Sequence, residues 1–154
     1  MMTAKRGHSA FTLIEVLIVV VIMAVLAATI IPQFSSSATD AKTSSMKFNL
    51  QSMRSQIELY KLHHGGAIPT LTSGGLPQLT SATDASGNTG TAGASYPYGP
   101  YMVNGLPVNP FTNSSTVTAI TTSPPTAASG SNGGWLYNTT TGQIHADYAQ
   151  GLNW

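Results

Sequence analysis

An acidic residue stands inside a long apolar run near the N-terminus. The run extends from Phe11 to Ile31, and only Thr12, Glu15 and Thr29 interrupt it. Its length is close to the roughly 20 residues that a helix needs to cross the hydrocarbon core of a bilayer. An ionised carboxylate is costly in lipid unless it is paired or lies near the interface, so membrane carboxylates are usually functional. Glu15 is therefore the first candidate functional residue, and we expect a cationic partner for it.

The charges that flank the run predict how the chain is oriented in a membrane. Lys5 and Arg6 precede the run, and positively charged flanks stay on the cytoplasmic side. The part of the chain after Pro32 would then face the periplasm or beyond. A cleaved secretory signal fits poorly, because the run is longer than a typical h-region and no small-residue cleavage site follows it cleanly. An uncleaved membrane anchor stays open as an alternative.

The rest of the chain offers little that could perform catalysis. His145 and Asp147 are two residues apart, so on a strand they share a face, and the chain has many serines that could complete a hydrolytic set. No Gly-x-Ser-x-Gly elbow, phosphate loop or zinc signature accompanies them. We therefore predict a surface His/Asp pair and expect no catalytic residue, no metal ligand and no cofactor.

Composition argues against several further kinds of site. The chain of 154 residues has no cysteine, which excludes disulfides and thiolate metal sites. Its net charge of +1 gives no reason to expect a nucleic-acid partner. His63 and His64 are neighbours on a predicted helix, so their side chains point about 100° apart. That arrangement suits the end of a helix better than a shared metal ion.

A second helical segment follows Pro32 and is amphipathic. Two adjoining sets of residues recur at three- and four-residue steps, as is typical of a helix face that packs on a core. The first set is Phe34, Ala38, Ala41, Ser45 and Phe48, and the second is Met46, Leu50, Met53, Ile57 and Tyr60. Arg54 and Glu58 are four residues apart and are expected to pair weakly. Gly65 and Gly66 are expected to end the helix.

After the helix the composition shifts to Gly, Ser, Thr, Pro and Asn, which predicts a loop-rich head. Residues 75–79 are expected to form a short helical turn, and residues 81–95 an exposed loop. Segments 98–103 and 106–111 are expected to be short strands or extended stretches between prolines.

Two strand predictions in the head are clearer. Residues 116–122 are rich in Thr, Val and Ile, which suits a strand. Residues 135–138 and 143–146 alternate around a turn that contains Gly142, which predicts a hairpin. The tail, residues 147–154, is expected to lie along the surface.

The start of the apolar run resembles the processing site of type IV pilins and of the pseudopilins of type II secretion. The motif is Ala10-Phe11-Thr12-Leu13-Ile14-Glu15-Val16, behind a short basic leader. In that family a prepilin peptidase cuts before the Phe, the new N-terminus is N-methylated, and a Glu at the fifth mature position serves filament assembly. The resemblance implies a cut between Ala10 and Phe11, an assembly role for Phe11 and Glu15, and a helix kink at Pro32. The family prefers Gly where this chain has Ala10.

The resemblance also supplies a partner for Glu15. After the cut, Phe11 would carry a free α-amine, which is positive near neutral pH. The amine of one subunit and Glu15 of its neighbour would neutralise each other in an apolar bundle, and a helix N-terminus favours nearby negative charge. Because an unpaired Glu15 would be strongly disfavoured, the pair would select the register between subunits.

Parts of the head resemble the major pseudopilins of type II secretion. The segments are Gly99-Pro100-Tyr101-Met102, residues 106–111 and residues 134–137. Asn109 stands where that family usually has Asp. The family head often holds a calcium ion on acidic residues near its C-terminus. This chain has only Asp147 in that region, so we carry over no calcium site.

The sequence thus predicts an α+β, pilin-like fold. A long N-terminal helix, with a transmembrane half and an amphipathic half, would pack on a small antiparallel β head. The expected segments are a prepilin leader (1–10), a transmembrane helix and filament core (11–32), an amphipathic helix (33–64) and a β-rich, loop-rich head (65–154).

The function that the resemblance implies is structural. The chain would be a subunit of a type II secretion pseudopilus, a periplasmic filament that drives protein export; a type IV pilus subunit for adhesion, motility or DNA uptake is the alternative. The lack of a cysteine pair favours the pseudopilus. A third reading is a periplasmic binding or enzymatic domain on an uncleaved anchor.

The resemblance also implies partners and a location. Expected partners are further copies of the chain in a filament, the prepilin peptidase, the inner-membrane assembly platform, the secretion ATPase complex and the membrane. The expected location is the bacterial inner membrane, with a single pass, a cytoplasmic N-terminus and a periplasmic head.

Overall fold

The computed structural model describes residues 11–130, 133–152 and 154. The chain divides into two compact units: the first ends at Asp40, and the second comprises Ala41–Trp154. A long helix contributes residues to both units, and the short strands belong to the second.

Helix α1 occupies Leu13–His63, a length of 51 residues. Its helical residues continue through Pro32, so the segments expected on either side of that proline form one element; the kink at Pro32 stays a prediction. Gly65 and Gly66 end the helix as predicted, with φ values of 61° and 93° that glycine adopts most readily. The amide of Gly66 donates to the carbonyl of Lys61 at 2.8 Å, which satisfies one of the last helical carbonyls.

Only one of the two predicted apolar faces of α1 packs on the core. The second set is fully buried and its prediction is confirmed: Met46, Leu50, Met53, Ile57 and Tyr60. The first set is wrong as a core face, because Phe34 and Phe48 are 72% and 75% exposed and the small residues between them are also exposed. The two sets lie on different sides of the helix, and the head covers the second one.

The head consists of short elements after α1. In chain order they are α2 (Pro77–Thr80), β1 (Ala82–Thr83), β2 (Thr89–Gly90), β3 (Val117–Ile120), β4 (Trp135–Asn138), β5 (Ile144–Ala146) and a 3-10 turn (Ala149–Gly151). Strands β1 and β2 form an antiparallel ribbon. A three-stranded sheet has the order β3-β4-β5. Helix α2 and strand β3 fall where a helical turn and a strand were predicted.

The three-stranded sheet is mixed. Strand β4 pairs antiparallel with β5 and parallel with β3. The connection after β3 must therefore bring the chain back to the start of that strand before β4 begins. The predicted α+β pilin-like fold is confirmed, with one parallel pair in a sheet that was expected to be antiparallel.

The core lies between the buried face of α1 and this sheet. Trp135 and Tyr137 of β4 and Ile144 and Ala146 of β5 are fully buried and belong to the same apolar cluster as the buried helix residues. Fully burying a large apolar side chain contributes about 1.5–3 kcal/mol, so this contact contributes substantially to the stability of the head.

The predicted hairpin of β4 and β5 is confirmed. The amide of Asn138 donates to the carbonyl of Gln143, and the amide of Gly142 donates to the carbonyl of Asn138, both at 2.8 Å. The side-chain oxygen of Asn138 accepts from two further amides in the turn. Gly142 has a φ of 74°, which explains why a glycine closes this turn.

Predictions for the loop-rich part of the head are partly wrong. Residues 81–95 were expected to be an exposed loop, but β1 and β2 lie there and both residues of β1 are buried. Segments 98–103 and 106–111 were expected to be short strands or extended stretches; they form no strand, and Tyr98 and Asn109 each make a single bridge to another segment. Proline has no N–H to donate, so strands cannot extend through these proline-rich segments.

The tail is also not a surface strap throughout. Asp147, Gly151 and Leu152 are buried. The Arg54 guanidinium donates to the carbonyl of Ile144 at 3.0 and 3.2 Å and to the carbonyl of Trp154. The predicted pair of Arg54 with Glu58 is therefore wrong, and Glu58 instead pairs with Lys61 at 2.7 Å.

Candidate assembly site

Glu15 and Thr12 form a capping box at the first turn of α1. Glu15 Oε2 accepts hydrogen bonds from the backbone N–H of Thr12 at 2.8 Å and from its hydroxyl at 2.7 Å. In return, the amide of Glu15 lies 3.3 Å from Thr12 Oγ1. These bonds satisfy groups that a helix start leaves unpaired. Thr12 is not among the predicted site residues, although Thr-x-x-Glu before an apolar run is a signal for a helix start.

The other carboxylate oxygen of Glu15 is open to an outside donor. Within residues 11–130, 133–152 and 154, no hydrogen bond reaches Oε1. The Glu15 side chain is exposed, and Phe11 is 85% exposed. One oxygen therefore holds the carboxylate at the helix start, and the second can accept from a cationic group that another molecule brings.

The helix surface around Glu15 is apolar and uncovered. Every residue from Leu13 to Ile31 is exposed. This stretch is long enough and apolar enough to cross a membrane. An uncovered apolar surface of this size calls for lipid or another protein chain, because water solvates it poorly.

The structure brings two of the predicted site residues together. Phe11 and Glu15 lie at the same end of α1, and Pro32 lies within the helix. Ala10 and the rest of the predicted leader, residues 1–10, are outside the described residues. The cut, the N-methylation, the assembly role and the kink stay predictions.

The Ser-His-Asp chemistry considered for the head is not assembled. The Nδ1–H of His145 donates to the carbonyl of Leu152 at 3.1 Å, and its Nε2 accepts from the Ser123 hydroxyl at 2.7 Å. Asp147 instead accepts from the amide of Ser129 at 2.7 Å and from the Ser129 hydroxyl. The predicted surface His/Asp pair is wrong on both counts, because the two side chains are buried and have separate partners.

Burial lowers the pKa of His145, and the nearby Arg54 guanidinium lowers it further. The imidazole is therefore held neutral, with one nitrogen as donor and the other as acceptor. In this state it links β5 to the tail through Leu152 and to the Ser123 loop. These bonds give His145 a structural role.

His63 and His64 point to different partners, as expected for a helix end. The two ring nitrogens of His64 lie 2.8 Å from the carbonyl oxygen of Tyr60 and 2.9 Å from that of Asp84. Its ring stacks on Tyr60 with centroids 3.9 Å apart. His63 Nδ1 lies 2.9 Å from the Tyr101 hydroxyl. Across the described part of the chain, no three His, Cys, Asp or Glu side chains are placed to hold one metal ion.

Comparison with known proteins matches the motif and, in one relative, most of the chain. A family model described as the prokaryotic N-terminal methylation motif matches residues 5–31. Type II secretion system core protein G of Pseudomonas aeruginosa is 40% identical over 58 residues, which cover 38% of this chain and 41% of that protein. The protein of the same name from Klebsiella pneumoniae is 32% identical over 110 residues, or 71% of each chain. No solved structure matches this chain significantly.

These matches extend well beyond the apolar run. The chain spans less than half of the Pseudomonas protein but more than two thirds of the Klebsiella protein. The motif match includes Phe11 and Glu15, and the apolar helix fits a membrane-anchored protein. The chain belongs to the family of the type II secretion system core protein G, the pseudopilins within the type IV pilin class.

Proposed function

We propose that this chain is a structural subunit of a type II secretion pseudopilus, a periplasmic filament that drives protein export. The observation that carries the proposal is the uncovered apolar helix with one acidic residue in its first turn. The relatives are named as core proteins of the secretion system, and neither name describes an enzyme. The role of the chain is then mechanical, and it needs no catalytic residue of its own.

Processing comes first in this proposal. The prepilin peptidase cuts between Ala10 and Phe11 on the cytoplasmic side, where Lys5 and Arg6 are retained. The new α-amine of Phe11 is then methylated. Methylation keeps the amine basic, so the positive charge that the next step requires is preserved.

Assembly then depends on Glu15. The amine of Phe11 in one subunit donates to Glu15 Oε1 in its neighbour, while Oε2 keeps its bonds to Thr12. In an apolar bundle an unpaired charge is strongly disfavoured, so subunits add in the register that forms this pair. The apolar surface of residues 13–31 is buried between copies at the same step.

The proposed surroundings follow from this assembly. The subunit crosses the bacterial inner membrane once, with its N-terminus in the cytoplasm and its head in the periplasm. Copies form a filament, because a head-to-tail contact that does not close gives an open helical array. The inner-membrane assembly platform and the secretion ATPase complex supply the work of extraction and addition.

The test is the intact mass and N-terminal peptide map of the protein purified from membranes of its own host. We expect a chain that begins at Phe11 and carries one extra methyl. A chain that still contains Lys5 and Arg6 would overturn the processing step and favour an uncleaved anchor. Shearing of intact cells tests the filament type, because a surface pilus is released by shear and a periplasmic pseudopilus is retained.

A further inference from the structure

Two lysines near the start of the second unit lie over aromatic rings. Lys47 Nζ is 4.6 Å from the centre of the Trp154 ring, and Lys42 Nζ is 5.9 Å from that of Phe111. The ring of Tyr148 stacks on Phe111, with the two centroids 4.0 Å apart. Both lysines are exposed, whereas the three rings are partly buried and pack against the core. We name these five residues the lysine–aromatic patch.

The positive charge of the patch is not balanced within the second unit. The other Lys and Arg side chains of this unit are engaged: Lys61 is in an ion pair, and the Arg54 guanidinium donates to backbone carbonyls. Over the described residues, neither Lys42 nor Lys47 has an acidic partner. Asp40, in the first unit, is the nearest acid along the chain. Set against this one carboxylate, two ammonium groups leave the patch with an excess of positive charge.

The types of side chain in the patch suit the surface of a membrane. Tyr and Trp are enriched at membrane–water interfaces, since their rings are apolar and their polar ends stay hydrated. Lysines close to anionic lipids are attracted by the negative surface potential. Nine residues, 32–40, separate the second unit from the apolar run, which is about 14 Å of helix. A connection of this length keeps the patch near the bilayer that the run crosses.

We propose that the lysine–aromatic patch binds the anionic phospholipid headgroups of the membrane that the apolar run crosses. The inference rests on one part of the proposed function, the insertion of this run in the bilayer, and adds a lipid contact for the head. The ammonium groups of Lys42 and Lys47 bind lipid phosphates. The rings of Tyr148 and Trp154 lie among the headgroups, with their apolar faces towards the core of the head.

The acids of the second unit make another copy of the chain a poorer partner. Glu58 already pairs with Lys61, and Asp147 is buried and accepts hydrogen bonds. Asp84 is the remaining acid of this unit, and it offers one carboxylate for two lysines. Its carbonyl oxygen lies 2.9 Å from Nε2 of His64, just past the end of α1, whereas the patch lies near the start of the unit.

Trp154 is also a fluorescence reporter for the contact. The full chain is inserted into lipid nanodiscs at one chain per disc, and a lipid with a spin-labelled headgroup quenches tryptophans at the surface. We expect strong quenching in discs that contain phosphatidylglycerol and weak quenching in discs of phosphatidylcholine alone. High salt should reduce the difference, because it screens exposed charges. Trp154→Phe should remove the quenching, because Trp135 is fully buried.

Two double variants separate the charge of the patch from its packing. Lys42→Gln with Lys47→Gln should lower the ratio of membrane-bound to free heads roughly tenfold or more, since each lysine near an anionic surface contributes about fivefold. Lys42→Arg with Lys47→Arg keeps both charges and should be quenched like the parent. Lys61→Gln, at a lysine outside the patch, is the matched control and should also be quenched like the parent. Urea unfolding checks that every variant is folded.

Three results would overturn the lipid contact. The first is equal quenching in neutral and anionic discs, and the second is parent-like quenching of the double glutamine variant. The third is quenching that requires two chains in one disc, which would assign the patch to a second copy instead.

The outcomes separate this inference from the proposed function. Nanodiscs need neither the peptidase nor the secretion machinery. Normal processing and normal filaments from a chain whose head ignores anionic lipid would therefore remove only the lipid contact. An unprocessed chain whose head still contacts anionic lipid would overturn the proposed filament and leave the lipid contact standing.

Discussion

Asn109 connects two parts of the head from a fully buried position. Its Nδ2 donates to the carbonyl of Gly134, and its Oδ1 accepts from the amide of Phe111, both at 2.9 Å. Aspartate would keep the shape and the acceptor. It would also place a carboxylate oxygen against the carbonyl of Gly134, where the amide donor now lies. Asn109→Asp is therefore a change of one donor with almost no change of volume.

The expected cost of Asn109→Asp is about 2–4 kcal/mol at pH 7. Losing the bond removes about 1 kcal/mol. The Gly134 carbonyl still accepts from the amide of Asp147 at 3.1 Å, so the further cost of about 1–3 kcal/mol is that of a buried carboxylate oxygen with no donor, which faces that carbonyl. The free energy of protonating the new carboxyl sets the upper limit of this cost, because a neutral carboxylic acid can donate to the Gly134 carbonyl again. Protonating a carboxyl of ordinary pKa, about 3.9, costs about 4 kcal/mol at pH 7.

The stability of the Asn109→Asp variant relative to the parent should depend on pH. The folded variant favours the protonated acid, so the pKa of the new carboxyl is higher in the folded than in the unfolded chain. The loss of unfolding free energy is absent below the pKa of the carboxyl in the unfolded chain. It grows as pH rises from there through the pKa of the carboxyl in the folded chain. The difference in unfolding free energy between parent and Asn109→Asp should thus reach its full value of about 2–4 kcal/mol at pH 7. It should fall below about 1 kcal/mol near pH 4.

Urea unfolding of the full chain in detergent micelles measures this difference, with tryptophan fluorescence as the signal. Trp135 is buried beside Gly134 and donates from Nε1 to the carbonyl of Pro107 at 2.8 Å, so it reports on this region. Asn109→Ala is the matched control, because it loses both bonds at every pH. An Asn109→Asp variant as stable as the parent at pH 7, or equally weakened at pH 4, would refute the reasoning. We therefore expect that aspartate, which the resemblance indicates at this position in the family, is not a neutral exchange in this chain.

Three further predictions concern the core, the pH response and assembly. Met53→Ala should lower the unfolding free energy by about 2–5 kcal/mol because it empties a fully buried position. Phe48→Ala, at an exposed position, should change it by less than about 0.5 kcal/mol, and urea unfolding compares the two. The head should lose stability as pH falls below about 6.5, because folding lowers the pKa of His145 and the unfolded chain binds the proton more readily. Thermal melting should show a smaller loss for His145→Asn. Glu15→Ala should leave processing at Phe11 unchanged and prevent filament assembly; normal filaments seen by electron microscopy would contradict the pairing.

Local signals predicted the parts of the fold that local interactions determine. The end of α1 follows from two glycines whose backbone conformation stops a helix. The hairpin of β4 and β5 follows from alternation around a turn with Gly142. The buried face of α1 follows from apolar residues at helical spacing.

Long-range partners account for most of the wrong predictions. Periodicity identifies an apolar face such as that of Phe34 and Phe48, but it does not say whether the same chain covers that face. Tyr98 does pair with a strand residue, Thr83, although its own segment forms no strand. Arg54 binds carbonyls that lie 90 and 100 residues away, so the nearby Glu58 is a misleading guide to its partner.

At the candidate site, too, local signals are visible in the sequence and long-range partners are not. Glu15 is conspicuous in the sequence because a carboxylate interrupts an apolar run. Thr12 carries an equally local signal, because Thr-x-x-Glu before an apolar run is the pattern of a capping box. The partner that we propose for Oε1 belongs to another molecule, so its position cannot be read from one chain.

The capping box also bears on how single subunits are kept in the bilayer before assembly. Two donors from Thr12 on one oxygen replace part of the water that the Glu15 carboxylate leaves behind when it enters lipid. In the proposed assembly, these bonds lower the cost of keeping a solitary subunit inserted before its pairing partner arrives. When a neighbour's amine arrives, Oε1 can accept it without disturbing the Thr12 bonds. Such subunits would form a membrane pool, and a filament could grow from this pool without new protein synthesis.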